Sequence, residues 1–112
     1  AMGFSVLKGG SFLYQNIRTL LSYYHKENLN NFQINLDYHF GGYAKTNAEL
    51  NNFCAGFYEQ HNIQIEPIYT GKMFFGLYDL IRSNFFPPES TIVAIHTGGL
   101  QGLQGLKQRK MI

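Results

Sequence analysis

Apolar positions along this chain change period several times, and each change marks an element. Phe4 to Leu7 is a short apolar run closed by Gly9 and Gly10, which predicts a strand. From Ser11 to Glu27 the residues Leu13, Ile17, Leu20, Leu21 and Tyr24 fall at helical spacing and predict an amphipathic helix. Phe32, Ile34, Leu36 and Tyr38 then alternate with Gln33, Asn35, Asp37 and His39, the two-residue period of a strand with one covered face, close to a sheet edge. Gly41 and Gly42 end it. Thr46 or Asn47, followed by Glu49, supplies the start of a helix from Ala48 to His61, with Leu50, Phe53, Cys54 and Phe57 inward. A second alternating stretch, Ile63, Ile65 and Ile68, is broken by Pro67 and turns at Thr70-Gly71 into a helix with Met73, Leu77, Leu80 and Ile81 inward. Beyond the loop Phe85-Phe86-Pro87-Pro88, Thr91 to Ile95 reads as a short buried strand. Leu100 then opens a last helix weakened by Gly102 and Gly105.

The resulting order, strand and helix alternating four times, predicts an α/β fold with a partly parallel sheet. No repeat, charge run or low-complexity linker divides the 112 residues, so they read as one structural unit. The last helix carries too little apolar surface to close a domain, which points to a piece of a larger protein. Residues 1–3 read as a cloning remnant, residues 4–106 as the structural unit and residues 107–112 as a basic tail.

Composition narrows the classes. With 45% hydrophobic and 14% charged residues the chain is too apolar for disorder and too interrupted for a membrane span. Its ten Phe and eight Tyr leave two readings open: an ordinary aromatic core, or apolar surface meant to be covered by a partner or by further chain. The net charge of +2 has its one basic cluster in Lys107, Arg109 and Lys110, too little and too terminal for a nucleic-acid surface. The single cysteine, Cys54, cannot form an internal disulfide and reads as a core residue. Without a secretory signal, a metal-type Cys/His spacing or a membrane segment, the expectation is a cytoplasmic protein that holds no metal.

Candidate chemistry sits in three glycine turns. The most informative is Ile92 to Gly102, a β-branched run that stops in His96-Thr97-Gly98-Gly99. It lacks the lysine of a Walker loop and the spacing of a dinucleotide fingerprint, so a ligand-binding loop and a merely tight turn both stay open. His96 is by default a structurally satisfied histidine. Glu66-Pro67-Ile68-Tyr69-Thr70-Gly71-Lys72 repeats the layout and could set Tyr69 and Thr70 beside Thr97. Lys72 would feel the positive end of a helix dipole, although a solvated surface lysine is the expected reading. The third turn, His39 to Lys45, offers Tyr43, by default a packing residue.

Taken together, Gly41-Gly42-Tyr43-Ala44-Lys45, Glu66 to Lys72 with Gly76-Leu77 following, and His96-Thr97-Gly98-Gly99 resemble, in order and spacing, the C-terminal part of one enzyme family. It groups 1-aminocyclopropane-1-carboxylate deaminase with D-cysteine desulfhydrase. The resemblance runs from about Phe4 to about Leu106. It implies a fragment of a fold-type II pyridoxal-phosphate enzyme, of the tryptophan-synthase β type, acting on a small amino acid. The roles it implies are Tyr43 and Tyr69 as catalytic, substrate-facing tyrosines, and Thr70, Gly71, Thr97, Gly98 and Gly99 as cofactor-binding residues.

The cofactor-linking lysine and the phosphate loop of such enzymes lie upstream and have no counterpart here. The resemblance therefore implies dependence on a missing N-terminal part and no normal catalysis by this fragment alone; a homo-oligomer is left open. Cyclopropane deaminases resemble Glu and Leu at the positions of Thr70 and Thr97, whereas desulfhydrase-like members carry small hydroxyl residues. A threonine gives a ring nitrogen a hydrogen bond without a carboxylate's charge, adequate when a departing thiolate drives elimination. The expectation is thus desulfhydrase-like, with the cyclopropane deaminase as alternative and a non-catalytic binding or assembly module as the alternative from another class.

Overall fold

The computed structural model describes residues 1–109; Lys110, part of the basic tail, lies outside the described residues. The elements are β1 (Met2–Phe4), α1 (Leu13–Ser22), β2 (Gln33–Asn35), α2 (Ala48–His61), α3 (Thr70–Arg82) and α4 (Gln101–Gln108), with a 3-10 turn (Gly10–Phe12) leading into α1. β1 and β2 pair in parallel, Met2 opposite Gln33, Gly3 opposite Ile34 and Phe4 opposite Asn35, with α1 as the crossover. The expected α/β class holds. Met2 and Gly3, read from the sequence as a remnant, form the start of β1.

Helix boundaries follow local chemistry. Asn47, rather than Thr46, caps α2: its side chain accepts the Leu50 N–H at 2.8 Å. Asn62 ends that helix in the left-handed conformation, φ 55°. α1 is five residues shorter at its C-terminal end than its apolar spacing suggests. Tyr23 and Tyr24 donate to Leu20 and Leu21 in tight turns, and His25 enters the left-handed region.

The core lies between α2 and α3. Leu50, Cys54, Phe57 and Ile65 are its buried members, and Phe40, Phe53, Phe74, Phe75 and Tyr78 pack against them. Phe75 meets Phe40 and Phe53 edge-on, at centroid distances of 4.9 and 5.3 Å. Two glycines let backbones approach. A Cβ at Gly71 would stand 2.6 Å from both the Cys54 Sγ and the Glu66 carbonyl, and one at Gly76 would stand 2.6 Å from the Phe4 ring. Of the residues expected inward on α3, Leu77 and Leu80 are buried, whereas Ile81 is exposed.

Two expected strands do not form. Ile63 to Ile68 is irregular because Pro67 lacks an N–H and the Glu66 N–H is used by the Thr70 hydroxyl. Thr91 to Ile95 is irregular and exposed rather than a buried strand, with Val93 81% and Ile95 69% accessible. This segment and Met2, Gly3 and Phe4 line one open groove of about 620 Å³, and 91–95 forms no ladder with β1. The apolar stripe of α1 is only partly covered: Leu13, Ile17 and Leu21 are half-buried and Leu20 is exposed, as is Tyr24 beyond the helix end.

These open faces show in the whole. The accessible surface is 7779 Å², whereas a closed monomer of this mass exposes about 6300 Å². The radius of gyration is 15.3 Å, against about 13 Å for a compact domain of this length. Part of the aromatic content accordingly lies on the surface, with Phe12, Tyr23, Tyr24 and Phe85 exposed. Among the described residues, no helix is long and apolar enough to cross a membrane.

Candidate functional site

The N-terminus of α3 organises the site. Glu66 is fully buried, and its carboxylate takes up the free amides there: Ile68 N–H at 2.6 Å, Tyr69 N–H at 2.9 and 3.0 Å, and Thr70 N–H at 2.7 Å. Thr70 closes the loop. Its hydroxyl donates to Glu66 Oε1 at 3.1 Å and accepts the Glu66 N–H at 3.1 Å. Four donors and the positive end of a helix dipole compensate the carboxylate for its burial.

Tyr69, at the helix cap, meets Tyr43 from the turn after β2. The two phenol oxygens are 2.9 Å apart and the rings stand edge to face, with centroids 6.0 Å apart. The hydrogen bond to Tyr43 raises the Tyr69 pKa, with burial and the charges of Tyr43 and Glu66 adding in the same direction. Both rings remain about half exposed, so the pair faces solvent.

Lys72 departs from its expectation. The reading as a solvated surface lysine is overturned: the side chain is fully buried, and Nζ donates to the carbonyls of His39 and Gly42, each at 2.9 Å. Burial lowers its pKa, opposed in part by the Glu66 charge. The physical reason is the turn 39–42, whose His39 and Gly42 carbonyls each accept one backbone N–H and keep a second lone pair for a charged donor.

The turn after the exposed 91–95 segment is held by its histidine. His96 Nδ1 accepts the Gly98 N–H at 3.0 Å, which leaves Nε2–H to donate to the Gln64 carbonyl at 2.8 Å. His96 is thus the structurally satisfied histidine it was expected to be. Gly98 and Gly99 both adopt φ 87°, a conformation that favours glycine. Gly99 lies beside α3, where a Cβ would be 3.8 Å from Glu66 Oε1 and 4.0 Å from the Tyr69 ring.

A cleft of about 190 Å³ opens between these parts, lined by Tyr69, Thr70, Met73 and Thr97 and floored by Met2 to Phe4 and Val6. The structure therefore brings Tyr43, Tyr69, Thr70, Thr97 and Gly99 to one end of the molecule. Gly98 stands clear of other groups, and Gly71 faces Cys54 instead of the cleft. Burial, aided by the Glu66 charge, pushes the Cys54 thiol up to about 12, so it is protonated at neutral pH and serves as core.

Two residues were missed as site residues by sequence reasoning. Glu66 sits four residues before Thr70 and next to a proline, a spacing from which an acidic cap can be read. Lys72 lies four residues before Gly76 and eight before Leu80, on a stripe of α3 that the structure buries.

Comparison with known proteins agrees with the motifs. The chain is 39% identical over 66 residues to a Pyrococcus horikoshii protein whose name assigns it, provisionally, to 1-aminocyclopropane-1-carboxylate deaminase; the match covers 59% of this chain and 20% of that protein. A Pyrococcus abyssi protein of the same provisional name is 36% identical over 67 residues, 60% of this chain and 20% of that protein. The 1-aminocyclopropane-1-carboxylate deaminase of Rhizobium leguminosarum bv. viciae is 33% identical over 72 residues, 64% of this chain and 21% of that enzyme. No family model matches. The chain spans about a fifth of the length of the curated relatives it matches.

Proposed function

We infer that this chain, similar over about 60% of its length to 1-aminocyclopropane-1-carboxylate deaminases, is the ring-side part of a pyridoxal-phosphate active site whose remainder comes from other polypeptide. The observation that carries this reading is one cleft lined by Tyr69, Thr70 and Thr97, with Tyr43 brought in from a third segment by its hydrogen bond to Tyr69. These residues fit one side of a flat, polar-edged ring: two hydroxyls, an aromatic wall and a glycine-lined approach. They do not complete the site, because the Lys72 amine is committed to two carbonyls.

The cofactor, when bound, serves as an electron sink for a carbanion next to the amino group. This chain's residues would hold and orient around it. The Thr70 hydroxyl gives its proton to Glu66 and so offers the cleft an acceptor, Thr97 offers a second hydroxyl, and the Tyr43–Tyr69 pair offers a phenol proton that can be passed between two oxygens.

For the parent enzyme we favour β-elimination from D-cysteine or a related β-substituted D-amino acid. With water, D-cysteine would yield pyruvate, sulfide and ammonia. The support is the Thr70 and Thr97 pair, which sets hydroxyls beside the ring, Thr70 as acceptor and Thr97 as donor or acceptor, without a carboxylate in direct contact. Deamination of the cyclopropane acid is the second reading. The names of the relatives favour it, and so does Glu66, whose carboxylate stands 3.1 Å behind the Thr70 hydroxyl and restores part of the negative charge.

Two measurements test this. Mixed with pyridoxal phosphate, the 112-residue chain should show no visible band of lysine-linked cofactor; a band abolished by Lys72→Ala would overturn the claim that the linking lysine lies elsewhere. In the full-length enzyme, sulfide release from D-cysteine should exceed ammonia release from the cyclopropane acid. Absence of sulfide would sink the threonine argument.

A further inference from the structure

We propose that Lys72 is the positioning residue for Tyr43: its buried ammonium fixes the turn 39–42 and thereby sets the Tyr43 phenol against Tyr69. The proposal rests on the reading of Tyr43 and Tyr69 as substrate-facing groups.

The backbone of this turn needs an external grip. Phe40 and Ala44, neither of them glycine, adopt φ 56° and 57°, and Gly41 and Gly42 adopt φ 100° and 135°. Four of five consecutive residues thus sit in the left-handed region, where side chains crowd the backbone. Within the turn each carbonyl takes a single backbone N–H, Gly42 to the His39 carbonyl at 3.2 Å and Lys45 to the Gly42 carbonyl at 3.1 Å, at the upper end of the ordinary range. Lys72 binds the same two carbonyls, at 2.9 Å each, through a charged donor held in a fully buried site.

Tyr43 follows Gly42 directly, so whatever fixes Gly42 fixes the base of the tyrosine. The phenol pair cannot supply that order. Tyr43 and Tyr69 are 54% and 45% exposed, and a hydrogen bond between such groups competes with water. α3 therefore grips the turn twice, three residues apart: Lys72 holds the backbone, and Tyr69 receives the phenol that this hold delivers.

The test uses the 112-residue chain with 13C-labelled tyrosine rings, assigned through Tyr43→Phe and Tyr69→Phe and titrated by NMR. In Lys72→Met the Tyr69 titration should move down toward that of an ordinary tyrosine, as in Tyr43→Phe. The double variant should move no further, and Lys72→Arg should restore part of the shift. An unchanged Tyr69 titration in a Lys72→Met chain of native helix content would overturn the proposal.

Should Lys72→Met fail to fold, amide exchange of Tyr43→Phe still decides. The Gly42 and Lys45 amides should keep their protection within about twofold, because lysine and not the phenol holds the turn. Loss of that protection would assign the hold to the tyrosine pair and reject the proposal. Neither measurement involves cofactor or substrate, so failure here is distinct from failure of the functional reading.

Discussion

Two turns of this chain share the pattern His-x-Gly-Gly: residues 39–42 and 96–99. In both, imidazole Nδ1 accepts the N–H of the glycine two residues on, at 2.9 Å from Gly41 and 3.0 Å from Gly98, and both glycines of each pair have positive φ. They differ in what holds them. The first is tied to α3 by Tyr38 to Asp79, Lys72 to two carbonyls, and Tyr43 to Tyr69. The second is tied through His96 to Gln64 and then passes near Glu66 and Tyr69, to which no hydrogen bond from it is seen among the described residues. The same local sequence thus makes a clamped turn that delivers a tyrosine and a lightly held turn beside a cleft. Context, not the glycine motif, decides which is which.

Glu66 holds the start of α3, from which Tyr69 reaches both turns, so its removal should cause the largest effect and erase the difference between them. Glu66→Ala leaves three amide donors at the start of α3 without their acceptor. It should cost about 2–4 kcal/mol, since a stranded buried donor such as the Thr70 N–H is worth roughly 1–3 kcal/mol and the part-buried Ile68 and Tyr69 N–H groups add less. Glu66→Gln, which keeps one acceptor oxygen, should cost roughly half as much. Urea denaturation of the two variants, with proton exchange read at Gly42 and Gly98, would check this. Loss of protection at only one turn would contradict the central role given to Glu66.

A milder pair of variants separates the turns. Gly42→Ala and Gly98→Ala each force a side chain into a left-handed backbone, and a Cβ meets nothing closer than 3.9 Å at Gly42 and nothing within 4 Å at Gly98. Steric room is therefore similar at both, while the backbone strain is at least about 1–2 kcal/mol and greater at Gly42, φ 135°, than at Gly98, φ 87°. The clamped turn should pass that cost to global stability in full. The lightly held turn should relax locally and lose less than about 0.5 kcal/mol. Equal losses would mean that the second turn is anchored as firmly as the first.

Alkaline pH should act on the first turn. The Tyr38 phenol donates to the Asp79 carboxylate at 2.6 Å. That bond, then burial and the charges of Asp79 and Asp37, push its pKa up to about 12 from an ordinary 10.0. A group raised in the folded state contributes stability that is complete below its unfolded pKa and is lost as pH climbs through the folded one. The Tyr38 contribution should thus be whole below pH 10 and fade toward 12. Lys72, with its lowered pKa, acts with opposite sign below its ordinary value of 10.5, and subtracting a Tyr38→Phe curve from the wild type cancels it. A difference curve that is flat between 10 and 12 would remove Tyr38 from the clamp.

The legible part of this fold was the part decided by local pattern. α2 spans the expected Ala48–His61, and α3 and α4 begin where the pattern places them, at Thr70 and just after Leu100, because caps and apolar spacing act within a few residues. Strands were less legible, since a strand exists only when a neighbour pairs with it. Ile92 to Ile95 has the composition of a buried strand and lies unpaired in the groove it lines with β1. In the site, Tyr43, Tyr69, Thr70 and Thr97 could be grouped from three motifs in register. Lys72 could not be recognised as buried, because the carbonyls that capture it belong to residues 30 and 33 positions away.

The smallest expected effect concerns His96, and it tests how loosely the second turn is held. His96→Ala removes the acceptor of the Gly98 N–H and the donor to Gln64, both at an exposed site where water replaces them. Global stability should fall by less than about 0.5 kcal/mol, whereas Gly98 amide exchange should quicken. His39→Ala is the matched control. It loses the same kind of bond to Gly41, yet the three ties of its turn to α3 remain, so exchange at Gly41 should change less than at Gly98. If the order is reversed, the histidine holds the first turn as much as the lysine does, and the contrast between a clamped and a lightly held turn disappears.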